Sequence, residues 1–297
     1  MSQNAEQQFQ TIMALQGAEA LKEAVTRLRT FLSNRAITGA DIQLPHYLWS
    51  ARRGGGVSTL VQAFAEYLHA EQAIEFCGKV RSFEFTLDYS APDQHFSGLW
   101  QLENELSDAA GHRRAFKGVV CIHIDAWVEH TNEAHFKDFL QYVASKSKDI
   151  LAIFCIRTDD KAKAVEAALA THLRIEALAL RFPGAKELAD LVEHKYLERA
   201  GFTLTKGAKD ILTASIAEIT SAKEFNGFQS IRQLAQDVVY SVLAVGVSTG
   251  RVTAKMLSPF KCDGDYVKRA KTKTKEHIPR VIGFAGKEVS YGATPEL

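Results

Sequence analysis

The stretch HYLWSARRGGGVSTLVQAFAEYL, residues 46–68, decides the fold. Its first six residues are an apolar run behind Pro45, and its middle is a polar loop with Gly54, Gly55 and Gly56 in succession. From Leu60 onward apolar residues recur at helical spacing. Strand, glycine loop, helix is the unit this order implies. Four more short apolar runs share the character of the first: VRSFEFTL at 80–87, GVVCIHID at 118–125, DILAIFCI at 149–156 and IEALALRF at 175–182, the last closed by Pro183. The helical segments HFKDFLQYVASK and KAKAVEAALATHL stand between them. Near-continuous apolar strands alternating with helices predict a parallel sheet covered on both faces.

Around this centre the chain divides into four stretches. Residues 1–44 form an amino-terminal helical segment in which Leu21, Val25, Leu28 and Leu32 make one apolar face and Gly17 interrupts the pattern. Residues 45–183 hold the five strand runs. Residues 184–250 read as a small all-helical domain, AKELADLVEHKYLERAG, TKGAKDILTASIAEIT and SIRQLAQDVVYSVLAV, with Gly201 capping the first helix and Ser230 starting the third. Residues 251–297 read as a basic tail carrying Lys261, Lys268, Arg269, Lys271, Lys273 and Lys275.

Composition narrows the function. Hydrophobic residues make up 46% of 297, too many for a disordered chain, and the length suits about two domains. Lys+Arg 36 against Asp+Glu 35 gives a net charge of +1, so no global field collects nucleic acid or anionic lipid. The polar start MSQNAEQQFQTIMALQ lacks the apolar stretch of a signal peptide, and no run approaches the ~18 apolar residues of a membrane span. A cytoplasmic protein is expected. Cys77, Cys121, Cys155 and Cys262 contain no C-x-x-C pair, so neither a zinc site nor a disulfide framework is suggested, and Cys121 and Cys155 read as small core residues. His123, in CIHID, reads as a strand residue rather than a ligand.

A phosphate-wrapping loop between strand and helix follows G-x-x-x-x-G-K-[ST]. Aligned on Gly56 and Ser58, this chain has Ala51 at the first glycine and Val57 where the lysine must stand. The loop alone would not pass as that motif. In register with it, however, five features together resemble the AAA+ family, and within it the CbbX and SpoVK type. ALQGAEALKEAV resembles the family's leading helix, and GGGVSTLVQAFAEYL its Walker A loop and following helix. GVVCIHIDAWV resembles the Walker B strand, FNGFQSIRQL the lid-helix motif, and PRVIGF the short tail of many members. These span roughly residues 9 to 286.

The resemblance implies an α/β architecture, a P-loop AAA+ five-stranded parallel sheet with flanking helices plus a small all-helical lid. It implies ATP or ADP with Mg²⁺, held by Gly54, Gly55, Gly56, Ser58, Thr59 and, from the lid, Arg232, with Ser58 and Asp125 toward the metal. Asp125 stands as the Walker B acid, and Arg174 lies one position away from where an arginine finger belongs. Phe96 and Gly98 resemble a pore loop that grips a polypeptide. Homo- or hetero-oligomers with AAA+ subunits and a protein client are implied as partners; the hydropathy and the balanced charge, not the resemblance, argue against a membrane and against nucleic acid as the main partner.

The departures carry as much information. Val57 replaces the Walker A lysine, Ala126 stands where the catalytic glutamate should follow Asp125, and Gln229 stands at the sensor 2 arginine. Shifting the Walker B register by two puts His123 at the acid and still gives no Asp-Glu pair. One lost charge-assisted bond to phosphate weakens binding by roughly tenfold to a hundredfold. Losing the group that orients water and those that stabilise transferred charge removes hydrolysis as well. The expectation is a pseudo-ATPase whose nucleotide binding is weak or lost, acting as a regulatory or structural subunit. Two other readings stand beside it: an active remodelling ATPase in which Arg52 or Arg53 replaces the lysine, and a nucleotide-independent interaction module, with nucleic acid as the candidate partner of its basic tail.

Overall fold

A computed structural model describes residues 3–38, 43–77, 79–89, 100, 102–106, 116–157, 160–245, 250–264 and 266–268. The expected pore loop, Phe96 and Gly98, and the tail from Arg269 onward lie outside the described residues. The chain begins with helices α1 (Gln3–Met13) and α2 (Glu19–Thr38). Gly17, between them, adopts φ +71°, and a Cβ there would stand 2.5 Å from the Pro183 ring. The break in the helical pattern is therefore a left-handed turn pressed against the far end of the sheet domain.

Five strands follow: β1 (His46–Ala51), β2 (Ser82–Thr86), β3 (Gly118–His123), β4 (Ile150–Ile156) and β5 (Ile175–Leu180). They form one sheet in the order β2-β3-β4-β1-β5 with parallel pairing throughout. β1 occupies an inner position and is buried at all six residues, which is why its sequence reads as an unbroken apolar run. Side chains alternate across the sheet: Tyr47 and Trp49 join one core and Leu48 the other. The first core is closed by α1, α2 and α3 (Val57–Ala70) through Leu21, Val25, Leu60 and Phe64. The second is closed by α4 (Ala134–Ser145) and α5 (Ala162–Ala170) through Phe136, Phe139, Val165 and Leu169. Each fully buried side chain of this size contributes about 1.5–3 kcal/mol of transfer free energy.

After β5 comes a third core built by α6 (Ala185–Val192), α7 (Lys206–Thr220) and α8 (Gly227–Val245), centred on Leu188, Leu212, Ile216, Leu234 and Val238. Gly201, at φ +80°, ends the irregular turns that continue α6. Helix α8 begins three residues before Ser230, whose hydroxyl instead accepts the Asn226 N–H at 2.9 Å from inside the first turn. Two short strands, β6 (Thr203–Leu204) and β7 (Arg251–Val252), pair in parallel, and Val252, Leu257, Phe260 and Val267 enter the same core. The first part of the basic stretch thus packs with the helices. No helix among the described residues is long and apolar enough to cross a membrane.

Candidate functional site

The glycine loop sits at the carboxyl end of β1, where open parallel sheets place their ligands. Gly54 and Gly56 both take left-handed backbone, φ +70° and +80°, which only glycine adopts without strain. The Gly55 N–H turns back to the Arg52 carbonyl at 2.9 Å. The helical domain rests directly on this loop. The Phe228 N–H donates to the Gly54 carbonyl at 3.0 Å, and a Cβ on Gly54 would stand 2.6 Å from the Asn226 carbonyl oxygen. The Phe228 ring lies 3.3 Å from where a Gly56 Cβ would be. Arg52 completes the contact: its Nη2 donates to the Thr220 carbonyl at 3.0 Å, and its guanidinium lies 4.9 Å from the Phe225 ring centroid. Arg52 is thus tied to the helical domain, and both it and Arg53 are exposed.

Ser58 and Thr59 occupy the first turn of α3, both exposed, and Ser58 Oγ donates to Glu84 Oε2 at 3.1 Å. Glu84 comes from β2 and faces the α3 side because its neighbours Phe83 and Phe85 turn to the other core. His123 closes the next strand on the same side, with Nε2 3.4 Å from Glu84 Oε2 and 4.0 Å from Cys121 Sγ. Cys121 Sγ in turn lies 3.4 Å from Cys155 Sγ of β4. Bonds from His123 and Ser58 hold the Glu84 carboxyl below its usual range against the opposing effect of burial. The neighbouring Cys121 and Glu84 hold the His123 imidazole above its ordinary value. The bond with Cys155, together with burial, pushes the Cys121 thiol up.

The other sequence candidates are dispersed. Asp125 lies in a 3-10 turn beyond β3, and its carboxylate accepts the Arg157 N–H at 2.7 Å and pairs with Arg157 Nε at 3.3 Å. It is His123 that lies on the Ser58 side, linked through Glu84. Gln229 Oε1 accepts from Asn226 Nδ2 at 2.8 Å, and Arg232 is exposed on α8. Arg174 is exposed just before β5 and reaches the Gln43 carbonyl at 3.4 Å. Sequence reasoning missed Glu84 and the meeting of Cys121, His123 and Cys155; alternation along GVVCIHID and DILAIFCI does place those three on one face, but pairing of the two strands is a long-range fact.

Two features stand against magnesium nucleotide bound in the AAA+ manner: the lid backbone lies against Gly54, and the two residues implied as magnesium ligands, Ser58 and Asp125, bond to Glu84 and Arg157. What the arrangement offers instead is a domain joint at the loop and, beneath it, a row of hydroxyl, carboxylate, imidazole and thiol groups.

A parallel sheet in the order β2-β3-β4-β1-β5, a glycine loop leading from β1 into α3, and a helical domain following β5 settle the architecture. This is the α/β P-loop architecture that the sequence resemblance to the AAA+ family implies. Among solved structures, the chain is similar to two variants of RuvB from Thermotoga maritima, at 14% and 11% identity and TM-scores of 0.46 and 0.48. Those matches cover 79% of this chain and about two thirds of the RuvB chains. Hsp104 in a closed state with ATPγS and FITC-casein matches at 14% identity and a TM-score of 0.39, over 83% of this chain and 44% of that one. The sequence matches no family model and no curated protein.

Proposed function

We propose that this AAA+-fold chain is a pseudo-ATPase that works by assembly, as a regulatory or structural subunit beside an active AAA+ partner or the protein that partner remodels. The observation that carries it is the joint at the glycine loop: Val57 stands at the lysine position, and Asn226, Gly227 and Phe228 lie against Gly54. Loss of the lysine removes a charge-assisted bond worth about 1.5–3 kcal/mol, and Ala126 offers nothing to orient water. The finer kinship, with the CbbX and SpoVK type, rests on the five sequence features, and an oligomer with AAA+ subunits follows from it. Free cysteines at the described positions Cys77, Cys121, Cys155 and Cys262 support a reducing compartment such as the cytoplasm.

A phosphate-release assay on the purified chain, with ATP binding measured at millimolar ATP and Mg²⁺, tests the reading. Turnover at background and no gain in thermal stability with ATP are the expected results. Turnover that Asp125→Ala abolishes would overturn it. A pull-down with mass spectrometry should bring along an AAA+ protein with an intact lysine in its glycine loop; its repeated absence removes the regulatory-subunit role.

A further inference from the structure

The row beneath the loop contains a donor set that the AAA+ fold does not require. Glu84 oxygen, Cys121 sulfur and His123 nitrogen all lie within 4.8 Å of one another. We infer that Glu84, Cys121 and His123 form a three-ligand site for a transition metal ion, with zinc(II) the ion it takes and the fourth position open toward Ser58.

Distances support this assignment. Tetrahedral zinc with bonds of about 2.0–2.2 Å to nitrogen and oxygen and about 2.3 Å to sulfur separates N from O by roughly 3.4 Å and N from S by roughly 3.5 Å. The corresponding separations are 3.4 Å for His123 Nε2 to Glu84 Oε2 and 4.0 Å for His123 Nε2 to Cys121 Sγ. The third pair, Glu84 oxygen to Cys121 sulfur, lies within 4.8 Å against roughly 3.6 Å in the tetrahedron, so a closing movement of up to about an ångström between them completes the polyhedron. Charge agrees too: one carboxylate and one thiolate neutralise a divalent ion, so the half-buried site carries no net charge when filled. Thiolate and imidazole select zinc over magnesium, which prefers an all-oxygen octahedron. Access is available, because the Glu84 and His123 side chains keep 27% and 22% of their exposure while Cys121 lies beneath them.

Binding exchanges protons for the metal. Cys121 loses its thiol proton to solvent, and the imidazole ligates as the neutral ring, releasing a second proton where it carried one. Cys155, 2% exposed and 3.4 Å from Cys121 Sγ, donates its S–H to the resulting thiolate and so tunes the ligand without touching the metal. The ion ties edge strand β2 to β3 directly under the glycine loop. None of this depends on how the loop treats nucleotide.

The test uses the full chain, stripped with chelator, dialysed, and loaded with zinc chloride or cobalt chloride. One zinc per chain by elemental analysis and a thiolate-to-cobalt charge-transfer band are expected. Cys121→Ser and His123→Ala should abolish both signals, Glu84→Gln should weaken affinity at least tenfold, and Cys155→Ala about tenfold. Cys77→Ser and Cys262→Ser should leave them unchanged. Substoichiometric zinc, a cobalt spectrum without the thiolate band, or zinc retained by folded Cys121→Ser overturns the inference. If Cys121→Ser and His123→Ala do not fold by circular dichroism, half-exposed Glu84→Gln decides, and unchanged zinc affinity in that variant rejects the site.

Discussion

The two faces of the sheet are built from alternate residues of the same strands and differ in kind. The face under α4 and α5 is aromatic and aliphatic from Phe85 through Phe136 and Phe139 to Phe154. The face under α3 is also largely apolar but carries Glu84 on β2, Cys121 and His123 on β3 and Cys155 on β4. Each face also holds a histidine, and their surroundings act in opposite directions. His46, 4% exposed on the α4 side, accepts the Ala152 N–H at Nδ1 and lies 2.8 Å from Ser147 Oγ at Nε2. Burial pushes it down to about 4, so it stays neutral, while His123 is held above its ordinary value by Cys121 and Glu84. Both faces are packed, and among the described residues it is the α3 face that also gathers a carboxylate, an imidazole and two thiols.

The sharpest attempt to break this contrast uses neighbours on β4. Phe154→Ala should lower unfolding free energy by about 3–5 kcal/mol in a denaturant melt, because it opens a cavity among packed rings. Cys155→Ala, one residue on and facing α3, should cost about 1 kcal/mol. Equal losses would show that both faces are packed to the same standard.

The histidines give the next largest effect. With a folded pKa of about 4 against about 6.5 unfolded, His46 contributes stability that is complete above pH 6.5 and lost as pH falls toward 4, about 3 kcal/mol in all. His123 has the opposite sign: its contribution is complete below pH 6.5 and is lost as pH rises through its raised folded value. Stability measured from pH 7 to 4 should fall steeply in the native chain and flatten in His46→Gln. A His123→Gln variant with the same acid slope as the native chain is the matching expectation.

The remaining two predictions concern the joint over the α3 face. Gly54→Ala forces a Cβ into left-handed backbone and toward the Asn226 carbonyl, and should cost about 2 kcal/mol, read as faster amide exchange at Phe228. Arg52→Ala loses a hydrogen bond to Thr220 and the stacking on Phe225, and should cost about 1 kcal/mol by thermal melt. If neither changes exchange at Phe228, the lid does not rest on the loop through these groups.

Much of this was legible in the residues. The run HYLWSA gave β1 with its observed ends, His46–Ala51, because an inner parallel strand is apolar at every position and Pro45 and the glycines bracket it. The loop and the helical domain were equally visible, since glycine runs and helical period are local signals. Glu84 was hidden because a single acidic residue in VRSFEFTL looks like one polar position in an edge strand. Reading Cys121 and Cys155 as core residues agrees with their burial, yet their contact depends on the β3–β4 register, which opposes Cys155 to His123 and Cys121 to Ile153. Arg52 escaped for a similar reason: its partners, Thr220 and Phe225, lie more than 160 residues along the chain.

The contact of Gly17 with Pro183 has a mechanical consequence. Pro183 belongs to the short link between β5 and α6, where Arg181 pairs with Glu187 and the Glu187 carboxylate caps the Gly184 N–H. The turn between α1 and α2 is wedged against that link with no room for even a methyl group on Gly17. A displacement of the link between β5 and α6 would therefore either carry the Gly17 turn with it or break their contact, which couples the first two helices to the start of the helical domain.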